Sequence, residues 1–168
     1  NPSLVGSEMC IRDSHYTVIE IGRRISDEGL NVVGVPTSEA TRELAEKVGI
    51  PLITLAESGG LDLIIDGADE FDDNFSLIKG GGGALTREKI VAQSSKSMVV
   101  VADDRKQVSV LGAFDLPVEV LPFEWERTRD RISSMCPGKV SLRGGSSPFI
   151  TDNLSLIHIS EPTRLGFI

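Results

Sequence analysis

The sequence predicts an α/β protein, a mostly parallel sheet interleaved with helices and followed by a second, smaller α+β part. Three observations carry that expectation. From residue 15 onward, short β-branched apolar runs alternate with segments of helical period. Two of the runs, 61–65 and 98–102, are apolar almost throughout, as strands buried on both faces are. Near Pro117 the rhythm breaks, and strand, helix, strand and strand follow with no clear tie to the first sheet.

Each element has its own signal. Val18, Ile19, Ile21, Gly22 and Ile25 keep helical spacing, and Gly29 stands where that helix would end. Val32, Val33 and Val35 form a β-branched strand closed by Pro36. Thr37 or Ser38 is a suitable N-cap for a helix running to Val48 and ended by Gly49. A second strand is expected over 52–55 and a third over 61–65. After a glycine-rich loop, 85–95 reads as a helix and 98–102 as the fourth strand. Beyond Pro117, a strand through Val118, Val120 and Leu121 precedes a charged helix over 125–135. Short strands over 139–142 and 149–151 then flank a Gly-Gly-Ser-Ser turn.

The ends differ from the middle. Residues 1–14 and 154–168 show no sustained helix or strand period and resemble translated sequencing-adapter read-through. They are read as non-native tails, with 15–116 the first domain and 117–153 a partial second one. On that reading His15 is the only native histidine, which weakens any histidine-based mechanism.

Composition narrows the function. A chain of 168 residues with 40% apolar and 25% charged residues is ordinary for a soluble globular protein of one domain or one plus an appendage. No apolar run approaches the roughly 18–20 residues that span a bilayer. The net charge of −8 repels phosphate backbones, which argues against nucleic acid but leaves room for a small anion in a pocket lined by donors. Cys10 and Cys136 have no metal-ligand spacing, and no signal peptide is recognisable, so a reducing, cytoplasmic setting is expected.

Four features could carry chemistry. Asp66-Gly67-Ala68-Asp69-Glu70 follows the strand over 61–65, and ligands in open parallel sheets bind beyond carboxyl strand ends. The small residues let the backbone bend so that Asp66 and Asp69 can turn toward one pocket. The same run, extended by Asp72 and Asp73, could equally be an acidic surface loop. An EF-hand is excluded, since Ala68 and Phe71 occupy its third and sixth positions. Lys79 then precedes Gly80, Gly81, Gly82 and Gly83, a run that enters a helix and exposes backbone N–H groups suited to an anion or a developing oxyanion. A Walker A loop is ruled out because no Gly-Lys-Ser/Thr follows, and Leu85 spoils the dinucleotide fingerprint, so no nicotinamide cofactor is expected.

Glu88 lies in the first turn of the following helix, where an acid also simply complements the helix dipole. Three carboxylates and a lysine suit proton abstraction beside a carbonyl. Lys106, after the strand over 98–102, could reach an anionic group, although a solvated charge run explains it as well.

The segments VGVPTSEATRELAEKVGIPL, LDLIIDGADEFDDNFSLIKGGGGALTREKIVA and VSVLGAFDLPVEVLPF together resemble ribose-5-phosphate isomerase, type A. The likeness runs from about residue 15 to residue 153. It implies a Rossmann-like catalytic domain over 15–116 and a truncated ferredoxin-like domain over 117–153. It also implies interconversion of D-ribose 5-phosphate and D-ribulose 5-phosphate in the pentose phosphate pathway, with no metal and no organic cofactor. Glu88 would move a proton between C1 and C2 through an enediol, while Asp66, Asp69 and Lys79 handle ring opening and the oxygens. Lys106, Thr37, Ser38 and the glycines 80–83 would hold the sugar or its phosphate. The intact protein would be a homodimer or homotetramer.

Two departures stand out. The family's glycine-rich phosphate loop is replaced by Cys10-Ile11-Arg12-Asp13-Ser14, and the chain ends soon after Thr151-Asp152-Asn153. The chain as written is therefore expected to be impaired. The alternative is a non-catalytic phosphosugar-sensing domain similar to this isomerase, although no basic recognition helix precedes residue 15. A structural α/β fragment that binds no sugar is the third possibility.

Overall fold

Three helices precede the first strand of the chain in a computed structural model that describes residues 5–136 and 138–160. The expectations for 1–4 and 161–168 lie outside the described residues. Two compact units emerge, one comprising the residues up to Gly67 together with Thr86–Val101, the other Ala68–Leu85 together with Ala102 onward. The stretch between the strand over 61–66 and the following helix thus belongs almost wholly to the second unit.

The first unit contains α1 (Val5–Glu28), α2 (Glu39–Lys47), α3 (Leu55–Ser58), β1 (Leu61–Asp66), most of α4 (Leu85–Gln93) and β4 (Ser95–Val100). Helix α1 extends the helix expected from residue 18 back to Val5, through a stretch in which no period was expected. Gly29, at φ 67°, follows its end as the sequence suggested. Gly22 is what lets α1 approach the end of α2, since a Cβ there would fall 2.6 Å from the Val48 side chain. Ser38 caps α2 by accepting the Thr41 N–H at 3.1 Å.

Strands β1 and β4 are parallel, in register from Leu61 opposite Ser95 to Asp66 opposite Val100, and the Val101 N–H extends the ladder to the Asp66 carbonyl at 2.9 Å.

Three expectations are corrected here. The run 32–35 is no strand, and only Gly34 pairs, in a single parallel bridge with Leu52. Val33 stays 54% exposed, so the β-branched run has no second strand edge to pair with. The run 52–55 keeps only that bridge, because Thr54 and Glu57 form a capping box that starts α3 at Leu55. The apolar runs of β1 and β4 are not buried on both faces either. Ile64 is buried, but Leu63, Ile65, Met98, Val99 and Val100 are exposed, because within this unit the two strands form a sheet by themselves.

In the second unit, β2 (Glu70–Phe71) pairs antiparallel with β3 (Leu77–Ile78). A three-stranded antiparallel sheet orders β5 (Leu116–Val120), β7 (Leu156–Ser160) and β6 (Val140–Leu142), with β7 in the middle. Helix α5 (Trp125–Met135) brings Trp125 to 5.4 Å from His158 of β7, ring centre to ring centre. The centre of this sheet is made by residues in which no regular period was expected. Leu156, Ile157, His158 and Ser160 are all buried, and a short strand sealed on both faces has no alternation to display. The expected strand over 149–151 reduces to one bridge between Ile150 and Leu156. Among the described residues, no helix is long and apolar enough to cross a membrane.

Candidate active site

The acidic motif is divided by the turn that follows β1. Asp66 closes that strand, and its Oδ1 accepts the Gly67 N–H at 2.7 Å. Asp69 lies in the second unit, where its N–H donates to the Ile78 carbonyl at 2.8 Å and its Oδ2 accepts the Gly81 N–H at 2.7 Å. A carboxylate held by a backbone N–H and placed at a turn has little freedom to swing away. Glu70 is only 4% exposed, and its carboxylate accepts the N–H of Gly112 at 2.8 Å and of Phe114 at 2.5 Å. The acids that extend the motif serve the loop itself: Asp72 accepts the N–H groups of Asn74 and Ser76, and Asp73 accepts from the Gln107 amide.

The glycine run forms a tight turn in which the Gly83 N–H donates to the Gly80 carbonyl at 3.0 Å. Gly81 needs to be glycine because of its neighbours. A Cβ there would stand 2.5 Å from Asp69 Oδ1 and 2.9 Å from the Phe114 ring. At Gly83 both φ, at 87°, and the Phe149 ring, 2.7 Å from a Cβ, exclude a side chain. The carbonyl of Gly81 accepts from the Arg143 guanidinium at 2.8 Å. One residue, Gly81, is therefore gripped on both sides, with Asp69 on the N–H of its preceding peptide and Arg143 on the carbonyl of its following one. Lys79, just ahead of the turn, is half-buried.

Glu88 lies in the first turn of α4, as expected, and is 7% exposed. A carboxyl so removed from water suits a base better than a surface acid does. Lys106 is 6% exposed and ends a short 3-10 turn over Asp104–Lys106, so it is no solvated charge. Ser38 and Thr37 are half-buried at the start of α2. The Ser38 hydroxyl is engaged by the cap and donates to Thr41 Oγ1 at 2.9 Å.

Taken by unit, Asp66, Glu88, Thr37 and Ser38 fall in the first, and Asp69, Lys79, Gly80 to Gly83 and Lys106 in the second. Within the second, Asp69 and the glycine turn are brought together directly. Sequence reasoning passed over Glu70 and Arg143. Glu70 stood inside the acidic motif and could have been found there, whereas nothing near Arg143 in the chain marks it. Among the described residues, no three His, Cys, Asp or Glu side chains are gathered as metal ligands would be.

The parallel strand pair, the acidic strand end and the glycine turn before α4 belong to an α/β protein, and solved ribose 5-phosphate isomerases share its fold. A D-ribose-5-phosphate isomerase determined in complex with phospho-erythronic acid matches with a TM-score of 0.85 and 35% identity, over 91% of this chain and 69% of that one. Ribose 5-phosphate isomerase A of Methanocaldococcus jannaschii matches with the same TM-score and 39% identity over the same shares.

The chain belongs to the ribose 5-phosphate isomerase A (phosphoriboisomerase A) family, whose model matches residues 33–161. Among curated relatives, the ribose-5-phosphate isomerase A of Cereibacter sphaeroides is 52% identical over 153 residues, 87% of this chain and 61% of the relative. That of Bacillus mycoides is 51% identical over 144 residues, 85% of this chain and 64% of the relative. The chain thus spans about three fifths of the length of these relatives.

Proposed function

We propose that the chain carries the proton-transfer machinery of an aldose–ketose isomerase that interconverts D-ribose 5-phosphate and D-ribulose 5-phosphate in the pentose phosphate pathway. The observation that carries this reading is Glu88, a carboxylate 7% exposed in the first turn of the helix that the glycine run enters. Family membership supports it, since the acids and lysine carried over by resemblance are all present.

In the open-chain aldose, Glu88 takes the proton from C2, and the C2–H electrons form the C1–C2 double bond as the carbonyl oxygen at C1 gains negative charge. Protonation of that oxygen gives the enediol. The C2 hydroxyl then gives up its proton, the C2 carbonyl forms, and the carboxylic acid of Glu88 returns its proton to C1. The reaction is redox-neutral overall, and the chemistry can proceed with acid–base groups and oxyanion stabilisation alone.

Asp66 and Asp69 would handle the hydroxyl protons during ring opening, and Lys79 the developing charge on oxygen. Thr37, Ser38, Lys106 and Gly80 to Gly83 would hold the sugar or its phosphate. Ser38 would do so with whatever capacity its cap leaves. The setting would be the cytoplasm, and the intact protein a homodimer or homotetramer. Cys10 to Ser14 stand where the family's phosphate loop is expected, so turnover by this chain is expected to be slower than that of a full-length relative.

Deuterium incorporation at C1 of ribulose 5-phosphate in D2O, read by NMR, detects even slow turnover. The expected outcome is incorporation by the chain and a loss of at least about a hundredfold in Glu88→Gln, the size of a lost general base. Binding of ribose 5-phosphate with no incorporation would replace this reading with a phosphosugar-sensing domain. Absence of both would leave neither.

A further inference from the structure

We propose that Arg143 is a positioning residue for the isomerase reaction, holding and polarising the peptide between Gly81 and Gly82 so that the Gly82 N–H acts as the loop's donor to a substrate oxygen. The inference rests on the isomerase reading given above. Arg143 lies far along the chain from the glycine run, on the turn that follows β6, and no motif marks it.

Four contacts fix its place. Its own N–H donates to the Ile157 carbonyl of β7 at 2.8 Å, and its carbonyl accepts the Phe149 N–H at 2.9 Å, so the residue is rooted in the sheet. Its guanidinium lies over the Phe149 ring, 4.2 Å from the centre, a cation–π contact that holds the plane of the group. From there Nη1 donates to the Gly81 carbonyl at 2.8 Å. Phe149 also abuts Gly83, so the arginine and the ring it stacks on touch the turn at two places, Gly81 and Gly83.

The peptide itself explains why this grip matters. The Gly81 N–H is committed to Asp69 Oδ2 and the Gly83 N–H to the Gly80 carbonyl. The turn bond does not use the Gly82 N–H. That N–H belongs to the same amide as the carbonyl to which Arg143 donates, and a cation on an amide oxygen draws electron density through the C–N bond and strengthens the N–H as a donor. A donor that is oriented and polarised before the reaction stabilises charge that develops on oxygen without reorganising. Burial pulls the Arg143 guanidinium below its ordinary pKa while the charge of Asp69 pushes it back up, and arginine stays charged under either influence. Asp69 and Arg143 thus grip the turn as a negative and a positive group on adjacent peptides.

The test compares the 168-residue wild-type chain with Arg143→Gln and Arg143→Lys by amide hydrogen exchange, by the Gly82 amide shift, and by steady-state isomerisation of ribose 5-phosphate. In Arg143→Gln the lost bond to the Gly81 carbonyl loosens the turn. Exchange of the neighbouring Gly81 N–H, which Asp69 still accepts, is expected to rise about tenfold or more, up to the roughly hundredfold that a charged hydrogen bond is worth. The Gly82 amide resonance moves upfield, and the β7 amides stay unchanged. kcat falls about tenfold while KM changes by less than about threefold, the signature of a donor used in the transition state. Arg143→Lys, which keeps the charge, recovers part of each effect.

Gly81 exchange equal to wild type in Arg143→Gln, or a rise matched by the β7 amides, would overturn the proposal. A wild-type chain with no turnover would overturn the isomerase reading alone, since exchange and shift still report whether Arg143 holds and polarises the peptide.

Discussion

At Gly81 the environment leaves no room for even one carbon. Asp69, Phe114 and Arg143 close on the residue from three directions, and Glu70 holds Phe114 in turn by accepting that residue's N–H. Gly81→Ala places a methyl group within 3 Å of a carboxylate and an aromatic ring, both already engaged. We expect a loss of about 1–3 kcal/mol in stability from overpacking, measured by urea unfolding, together with faster exchange of the displaced Gly81 amide. A variant as stable as wild type, with the Gly81 amide unmoved, would show that the turn relaxes freely. Residues of this kind are hard to see in a sequence. Glycine runs announce a turn or an anion loop, but which glycine is indispensable depends on groups that arrive from elsewhere.

Elements follow their local signals where those signals are complete. Ser38 with Thr41 starts α2, and Thr54 with Glu57 starts α3, each because a side-chain oxygen satisfies an orphan N–H at a helix end. Thr54→Ala should cost about 1 kcal/mol, the usual worth of an N-cap, and should be read as increased amide exchange at Glu57. Signals that rested on apolar content alone did less well. The run 32–35 has strand composition but one bridge only, whereas 156–160 sits at the centre of a sheet. Ile157 is 1% exposed there, so Ile157→Ala should destabilise the second unit by about 2–5 kcal/mol. A change below 1 kcal/mol in denaturant unfolding would mean that β7 is not the core strand of that sheet.

For the molecule as a whole, pH is the informative variable. His158 is fully buried with neither ring nitrogen hydrogen-bonded, facing Trp125 from α5 and flanked by Val118 of β5 and Leu142 of β6. Burial pushes its pKa below the ordinary 6.5, and the positive charge of Arg129 on α5 adds to the effect. The unfolded chain therefore binds the proton first. Stability contributed by the neutral imidazole is fully present above about pH 6.5 and is lost as the pH falls below it toward the folded pKa. The melting temperature of the wild type should drop more steeply from pH 7 to pH 5 than that of His158→Leu. Parallel profiles would remove the histidine from the account.

The exposed apolar face of β1 and β4 makes a second prediction at this scale. Leu63, Ile65 and Val99, which share a face of the pair, should bind a hydrophobic dye and promote concentration-dependent association, both reduced in Val99→Lys. Association unaffected by that change would place the sticky surface elsewhere.

The α/β class, the helix starts at Ser38 and the glycine turn, the acidic strand end and the family were all legible in the residue order. Each depends on chemistry between residues a few positions apart, which spacing records. Tertiary structure alone decided that Glu70 reaches Gly112 and Phe114, 42 and 44 residues away, and that Arg143 reaches Gly81 across 62. It also decided which apolar runs are sealed. β7 is buried because strands pair on both its edges, while β1 and β4 stay open because their sheet has only two strands. Burial belongs to neighbours brought in from distant parts of the chain, and no local pattern of residues encodes who those neighbours are.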